Sequence, residues 1–276
     1  MYNSPKLILT LILSNFTTLL LLSNETPKIN DRVNSVYRSI VRIEVVSERG
    51  SNGRMLKSGS TGSGVIIDGS GLVITNHHVA GKASRLTCRL HDGEEIGADL
   101  LGADALTDLA VLRLRLEDRP QKSPPLHYAK FGDSSMVRVG DPCFAMGSPA
   151  GLSQSVTRGI ISNLALISNR SSSFRLDGEN VGELVRWLGH DAVIFPGNSG
   201  GPLVNQDGEI IGINEVAIAS LGGAIPSNLA REISAQLADR GFVERSWTGL
   251  ECQPHLSGNQ KGILVSGVID ESPALL

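Results

Sequence analysis

Short runs of Val, Ile and Leu, closed again and again by turn residues, constrain this chain more than any other feature. Ile40–Val46 is followed by a polar Gly/Ser-rich stretch from Glu48 to Gly62, then by Gly64–Ile67, the turn Asp68-Gly69-Ser70-Gly71, and Leu72–Thr75. Asp92-Gly93 precedes the aliphatic run Leu109–Leu114, and Asp207-Gly208 divides Leu203-Val204 from Ile210–Ile213. Asp-Gly between apolar runs supplies the positive φ that a tight hairpin turn demands. With 31 glycines and only 4% aromatic residues, the pattern predicts a mainly β chain of barrel or sandwich type, with Glu48–Gly62 as a loop. The Pro-bearing stretch Arg119–Pro125 divides a first β unit from a second of similar size, running from about residue 130 to 225, because adjacent prolines cannot sit in a central strand. One helix is expected after that unit. Ser227 is placed to cap it, Leu229, Ile233 and Leu237 share a face, and Gly241 is the stop.

Hydrophobic residues make up 41% of the 276 positions, enough for a substantial core, and a formal charge of −3 with scattered Lys and Arg gives no footprint for nucleic acid. The three cysteines, Cys88, Cys143 and Cys252, have unrelated spacings, so neither a disulfide framework nor a zinc site is indicated. Cys88 and Cys143 lie in apolar runs that predict buried, inert thiols. Near the N-terminus, Leu7–Leu13 and Leu19–Leu22 form an apolar segment that is short for a membrane span and suits a secretory signal over residues 1–27, either cleaved or kept as an anchor.

Function enters with Gly197-Asn198-Ser199-Gly200-Gly201, a G-x-S-x-G stretch. In an α/β-hydrolase such a serine tops a strand and a helix follows at once. Here Pro202-Leu203-Val204, an Asp-Gly turn and a second aliphatic run follow, so the elbow loses its helix. Taken alone, Ser199 reads equally as a nucleophile and as a small residue in a tight turn. A nucleophilic serine needs a base, and the base needs an orienting group. Thr75-Asn76-His77-His78-Val79 places two histidines where a strand runs out into a loop, and Asp108 stands at the mouth of an aliphatic strand. The order His, Asp, Ser is the trypsin-like one, whereas the α/β-hydrolase order leaves only His255 after the serine.

The stretches TNHHV, DALTDLAVL and GNSGGPL, together with GSPAGLSQSVTRGIIS between them, resemble the catalytic and connecting motifs of the HtrA (Deg) family of serine proteases over roughly residues 35–240. The resemblance implies a trypsin-like fold of two six-stranded antiparallel β-barrels, a C-terminal helix, and a cleft between the barrels. It implies His78 as the base, with His77 as a neighbour, Asp108 as its orienting group and Ser199 as the nucleophile. The Gly197, Asn198 and Ser199 turn becomes the oxyanion hole, with the amides of Gly197 and Ser199 as donors. Ile213, Asn214, Gly223 and Ala224 are expected to bind substrate.

The same resemblance implies an exported, periplasmic or otherwise extracytoplasmic endopeptidase acting on unfolded or misfolded polypeptide. It works without metal or organic cofactor, with a trimer as the family's common assembly and residues 7–22 as a membrane tether if the signal is retained. A catalytically impaired peptide-binding protein on the same fold is the alternative. Phe195 and Gly189-His190 depart from the family pattern, and the connection from Gly212-Ile213-Asn214 to Ala224-Ile225-Pro226 is short. Cleavage after small or medium aliphatic residues is expected, with Glu215 and Asp191 the candidate counter-charges for any basic residue. Trp247-Thr248-Gly249-Leu250 resembles the carboxylate-binding loop of a PDZ domain, so residues 242–276 are expected to be an incomplete PDZ segment. Within it, Gly262–Ile269 is expected to form an apolar strand pair.

Overall fold

The structure, a computed structural model, describes residues 31–51, 54–148, 155–167, 175–176, 179–218, 220–254 and 262–275. The apolar N-terminal segment, and part of the GSPAGLSQSVTRGIIS stretch, lie outside the described residues. Among those described, no helix is long and apolar enough to cross a membrane.

Two closed six-stranded barrels make up the body, and every strand pair in them is antiparallel. The first contains β1 (Ile40–Ser51), β2 (Arg54–Ile66), β3 (Leu72–Thr75), β4 (Arg85–Arg89), β5 (Glu95–Asp104) and β6 (Leu109–Leu114). Its order around the barrel is β1-β2-β3-β6-β5-β4, closed by β1 against β4. The second contains β7 (Pro142–Gly147), β8 (Ser155–Leu166), β11 (Trp187–His190), β12 (Pro202–Val204), β13 (Ile210–Ile218) and β14 (Leu221–Pro226), with the short pair β9 (Arg175–Leu176) and β10 (Glu179–Asn180) apart from it.

The strand sequences explain how the barrels meet. Successive side chains of a strand point to opposite faces. In β6, Ala110, Leu112 and Leu114 fill the first barrel, while Leu109 and Val111 face a cluster shared with Phe144, Met146, Val204, Ile210, Ile213 and Ile225 of the second. From Leu109 to Leu112 both faces of β6 are therefore apolar and the strand reads as a continuous run, as a strand covered on both sides must, until Arg113 reaches solvent. The helix Ser227–Arg240 adds Ala230, Ile233 and Leu237 to that shared cluster. Each fully buried Leu or Ile there contributes roughly 1.5–3 kcal/mol.

Four expectations change. Glu48–Gly62 is not a loop: β1 and β2 pair without a break from Ile40↔Val65 to Ser51↔Arg54. Residues 54–61 are exposed, so no buried face imposes an alternation for the sequence to display, and the backbone ladder alone defines the strand. Ser227 does not cap the last helix. It is the first helical residue, its hydroxyl donates to the Gly132 carbonyl at 2.9 Å, and the Asn228 amide is met by Ser134 Oγ at 3.1 Å. Gly241 does end that helix in the left-handed region, φ 80°, and its amide donates to the Leu237 carbonyl. Thr75 leads into a short helix, His77–Ala80, rather than a loop. Finally, Ile263–Val268 is a single strand, β16, that pairs back onto β15 (Leu250–Pro254) instead of folding on itself.

Candidate active site

The cleft residues are assembled from the ends of strands in both barrels. At the end of β3, the Thr75 hydroxyl donates to the Ser63 carbonyl at 2.7 Å, and the chain then turns so that the Val79 and Ala80 amides bond the Asn76 carbonyl. This single helical turn carries His77 inward, where it is buried, and leaves the His78 side chain 21% exposed.

Asp108 reaches the histidines from the end of the β5–β6 connection. One 3₁₀ turn, Ala105–Thr107, delivers it with φ 52°, a left-handed conformation that aspartate tolerates better than most residues. Asp104 builds that turn by accepting from the Thr107 amide at 3.0 Å, and Arg245 clamps it from the C-terminal side at 2.7 and 2.6 Å. Burial works to raise the pKa of Asp104, but the bonds from Arg245 and Thr107 outweigh it and hold the carboxyl below its usual range.

Asp108 is fully buried and grips residues 76–78 with every acceptor it has. Its Oδ1 accepts from the His78 amide at 2.9 Å, and Oδ2 pairs with His78 Nδ1 at 2.6 Å. Its carbonyl accepts from the His77 amide at 3.0 Å and from Asn76 Nδ2 at 2.9 Å. A carboxylate in this position fixes the proton on Nδ1 and leaves the lone pair of the imidazole on Nε2.

Ser199 lies on the turn that enters β12. Gly197 has φ 102° and Gly200 φ 84°. A Cβ on Gly200 would stand 2.1 Å from the Ser63 carbonyl oxygen and 2.3 Å from Thr75 Oγ1; one on Gly201 would stand 2.1 Å from the Met146 carbonyl oxygen. Gly200 is therefore required by contact as well as conformation, and its neighbours press the turn against the first barrel. Ser63 locks it there, donating from its amide to the Ser199 carbonyl at 3.0 Å and from Oγ to the Gly197 carbonyl at 2.5 Å, while Oγ accepts from the Ser148 amide at 2.8 Å. The Asn198 amide closes the turn onto the Phe195 carbonyl. The amides of Gly197 and Ser199 donate to no group among the described residues. The Ser199 hydroxyl donates to the Glu215 carbonyl at 3.1 Å.

Glu215 is itself a site residue that the motifs do not reveal. Its carboxyl is buried beside Asp108, and the Trp187 indole N–H donates to Oε2. Burial, then the neighbouring Asp108 carboxylate, push its pKa well above the usual range, against the opposing effect of the Trp187 bond.

The expected substrate-binding positions lie within the second barrel. Ile213, Asn214, Gly223 and Ala224 are all buried in the second barrel. Asn214 spends its side-chain amide on the Pro202 and Met146 carbonyls, at 3.0 and 3.3 Å. Gly223 packs tightly between Val216 and Trp187, where a Cβ would stand 3.0 Å from Val216 Cγ1 and 3.2 Å from the indole ring. In the stretch leading into the Ser199 turn, the exposed apolar side chains are Val193, 53% exposed, and Phe195, 51% exposed. Cys88 and Cys143 are buried, and desolvation pushes both thiols up to about 12, out of reach as nucleophiles.

Sequence reasoning missed Ser63 and the part played by Asn76, and it offered Glu215 only as a counter-charge, not as the neighbour of Asp108. Asn76 carries a signal in hindsight, an amide residue at a strand end beside two histidines. Ser63 directly follows the Gly/Ser-rich stretch, and nothing distinguishes it from the serines before it.

Residues 62–213 match the profile of the trypsin-like peptidase domain. The chain is 38% identical to the serine protease Do-like HtrA of Bacillus subtilis (strain 168), over 91% of this chain and 61% of that protein. It is 36% identical to a probable periplasmic serine endoprotease, DegP-like, of Chlamydia muridarum (strain MoPn / Nigg), over 77% of this chain and 42% of that one. The chain thus spans roughly half the length of these curated relatives. Among solved structures, the HtrA-type protease AlgW with a tripeptide superposes with a TM-score of 0.72 at 33% identity, covering 90% of this chain and 79% of the other.

Proposed function

Because the chain belongs to the HtrA-type family of trypsin-like serine proteases, we propose that it is a serine endopeptidase of unfolded or misfolded polypeptide, working through His78, Asp108 and Ser199. The observation that carries this reading is the 2.6 Å pairing of His78 Nδ1 with the fully buried Asp108, whose other oxygen holds the His78 amide. A strand-end histidine with no task has no need of such a buried partner.

In the reaction, the Ser199 hydroxyl leaves the Glu215 carbonyl and gives its proton to His78 Nε2 as Oγ attacks the scissile carbonyl. Asp108 holds the imidazole in the required tautomer and stabilises the imidazolium that forms. The developing oxyanion is met by the amides of Gly197 and Ser199, whose carbonyls are already held by Ser63, and the loss of one such donor typically raises the barrier by ~3–4 kcal/mol. His78 then protonates the leaving amine, and water resolves the acyl-enzyme by the same path in reverse. Each step uses protein groups alone.

The trimer and the membrane tether through residues 7–22 enter this proposal only as properties implied by the family resemblance. An extracytoplasmic location is supported by relatives such as the probable periplasmic DegP-like endoprotease of Chlamydia muridarum. Labelling with a fluorophosphonate, followed by turnover of an unfolded protein such as casein, tests the reading. Label on Ser199 and casein cleavage, both lost in Ser199→Ala, are expected; absence of label on the folded wild-type chain would favour the impaired peptide-binding alternative.

A further inference from the structure

The position of Glu215 extends the site beyond its three expected members. This inference rests on the proteolytic reading above. Glu215 is 8% exposed, Asp108 is fully buried, and their carboxyls lie side by side. Two carboxyls in contact inside a protein cannot both ionise: desolvation and mutual repulsion leave one proton shared between them. The surroundings decide which one keeps it. Asp108 receives two N–H donors from His78 and faces the ring that becomes cationic during the reaction. Glu215 receives one indole N–H, from Trp187, and the position of a Cβ on Gly182 lies only 2.5 Å from Oε1, so the backbone seals that side. Among the described residues, Asp108 is the charged group that acts on the Glu215 carboxyl; Trp187 on β11 and Gly182 bring no charge. The proton belongs on Glu215.

We propose that Glu215 is a positioning residue held as the neutral acid, donating from its carboxyl O–H to the Asp108 carboxylate while its other oxygen accepts the Trp187 N–H. Three consequences follow for the reaction. Asp108 gains a third donor and cannot rotate away from His78. Its negative charge is partly satisfied from behind, which moderates the basicity that it induces in the imidazole. The same residue's backbone carbonyl parks the Ser199 hydroxyl, so one residue of β13 touches both ends of the proton path. This pairing of two acids whose environments drive their protonation apart is the arrangement by which a carboxylic acid serves as a donor near neutrality.

The test compares wild type, E215Q and E215L. A glutamine keeps both hydrogen bonds, its amide donating to Asp108 and its carbonyl accepting from Trp187, whereas leucine keeps neither. Infrared difference spectra of wild type against E215Q should show the carbonyl stretch of one protonated carboxylic acid at neutral pH. Fluorophosphonate labelling rates, measured against pH, should fall about tenfold or more in E215L, the weight of a hydrogen bond to a charged group, with the acid limb moved upward. E215Q should rescue most of that loss and return the limb to its wild-type place. Absence of the infrared band overturns the proposal, as does an acid limb in E215Q displaced downward by about one pH unit, the signature of an ionised glutamate removed from beside the pair. A wild-type labelling rate matched by E215L overturns it too. Should the wild type take no label at all, the proteolytic reading fails instead, and the infrared comparison still decides where the proton resides.

Discussion

Ser63 on the first barrel donates from Oγ to the carbonyl of Gly197 on the second at 2.5 Å, and the same oxygen accepts from the Ser148 amide. The nucleophile turn is thus fastened to the opposite barrel by a residue 134 positions away in sequence. Ser63→Ala orphans two backbone groups at a buried junction, at a cost of about 1–3 kcal/mol each when no water replaces the hydroxyl. The expected result is a lower urea midpoint together with a slower fluorophosphonate reaction. A variant with wild-type labelling would show that the turn holds its shape unaided.

Removing the nucleophile should leave the fold intact and abolish proteolysis, with turnover in Ser199→Ala down by a factor on the order of 10⁶. His78→Ala should be nearly as severe. Asp108→Asn should reduce turnover ~10⁴-fold by releasing the wrong imidazole tautomer. His77 is buried with its amide on the Asp108 carbonyl, so His77→Ala should lower stability more than chemistry. Active-site titration of each soluble variant separates the two effects, and a more damaged active fraction in His77→Ala than in His78→Ala would reverse the assignment of the base.

Gly200→Ala places a methyl group in a left-handed residue and within 2.3 Å of both Ser63 and Thr75. Neither neighbour is a flexible chain end, so the barrels must separate. A loss of at least about 3 kcal/mol is expected, from backbone strain together with overpacking. Thermal unfolding checks it; a melting temperature within a degree or so of wild type would contradict the contact.

Cleavage should follow small or medium aliphatic residues. Glu215 lies beside Asp108 and accepts from Trp187, and Asp191 Oδ1 accepts from the Ile160 amide at 2.7 Å, so both carboxyls already have protein partners. Peptide-library profiling provides the measurement, and a preference for Lys or Arg would refute the assignment.

His190 makes stability depend on pH. The ring is fully buried, and burial pushes its pKa down from 6.5 to about 4, outweighing the Ala192 backbone and the Asp191 carboxylate, which favour the charged form. The unfolded chain therefore takes the proton first. Stability from this group is complete above about pH 6.5 and falls as the pH drops toward 4, by about 3 kcal/mol in all. Urea midpoints at about pH 7.5 and 4.5 should differ by less in His190→Gln than in wild type, since the variant has no proton to gain. Equal differences would assign the acid sensitivity to other groups.

Local chemistry carried most of what was legible in the sequence. Asp68-Gly69-Ser70-Gly71 and Asp92-Gly93 encode hairpin turns because Gly71 and Gly93 adopt positive φ within the turn itself. The aliphatic runs declare strands, and the order of His78, Asp108 and Ser199 selects one arrangement of nucleophile, base and orienting group. Even the helix could be placed from the spacing of Leu229, Ile233 and Leu237, although its first turn is met by Ser134 and Gly132 rather than by a cap of its own.

What the sequence could not determine was every relation in which a residue's meaning comes from a distant one. Glu48–Gly62 carries no strand pattern, because exposure on both faces removes the alternation that burial imposes. Ile213, Asn214 and Ala224 sit in ordinary strand-like runs, and only closure of the second barrel decides that their side chains are buried. Ser63 and Glu215 look like an ordinary serine and an ordinary acid until folding brings one against the Gly197 carbonyl and the other against Asp108. A turn's conformation is a property of a few adjacent residues, whereas burial, desolvation and the sharing of a proton between two carboxyls exist only once the barrels have closed around them.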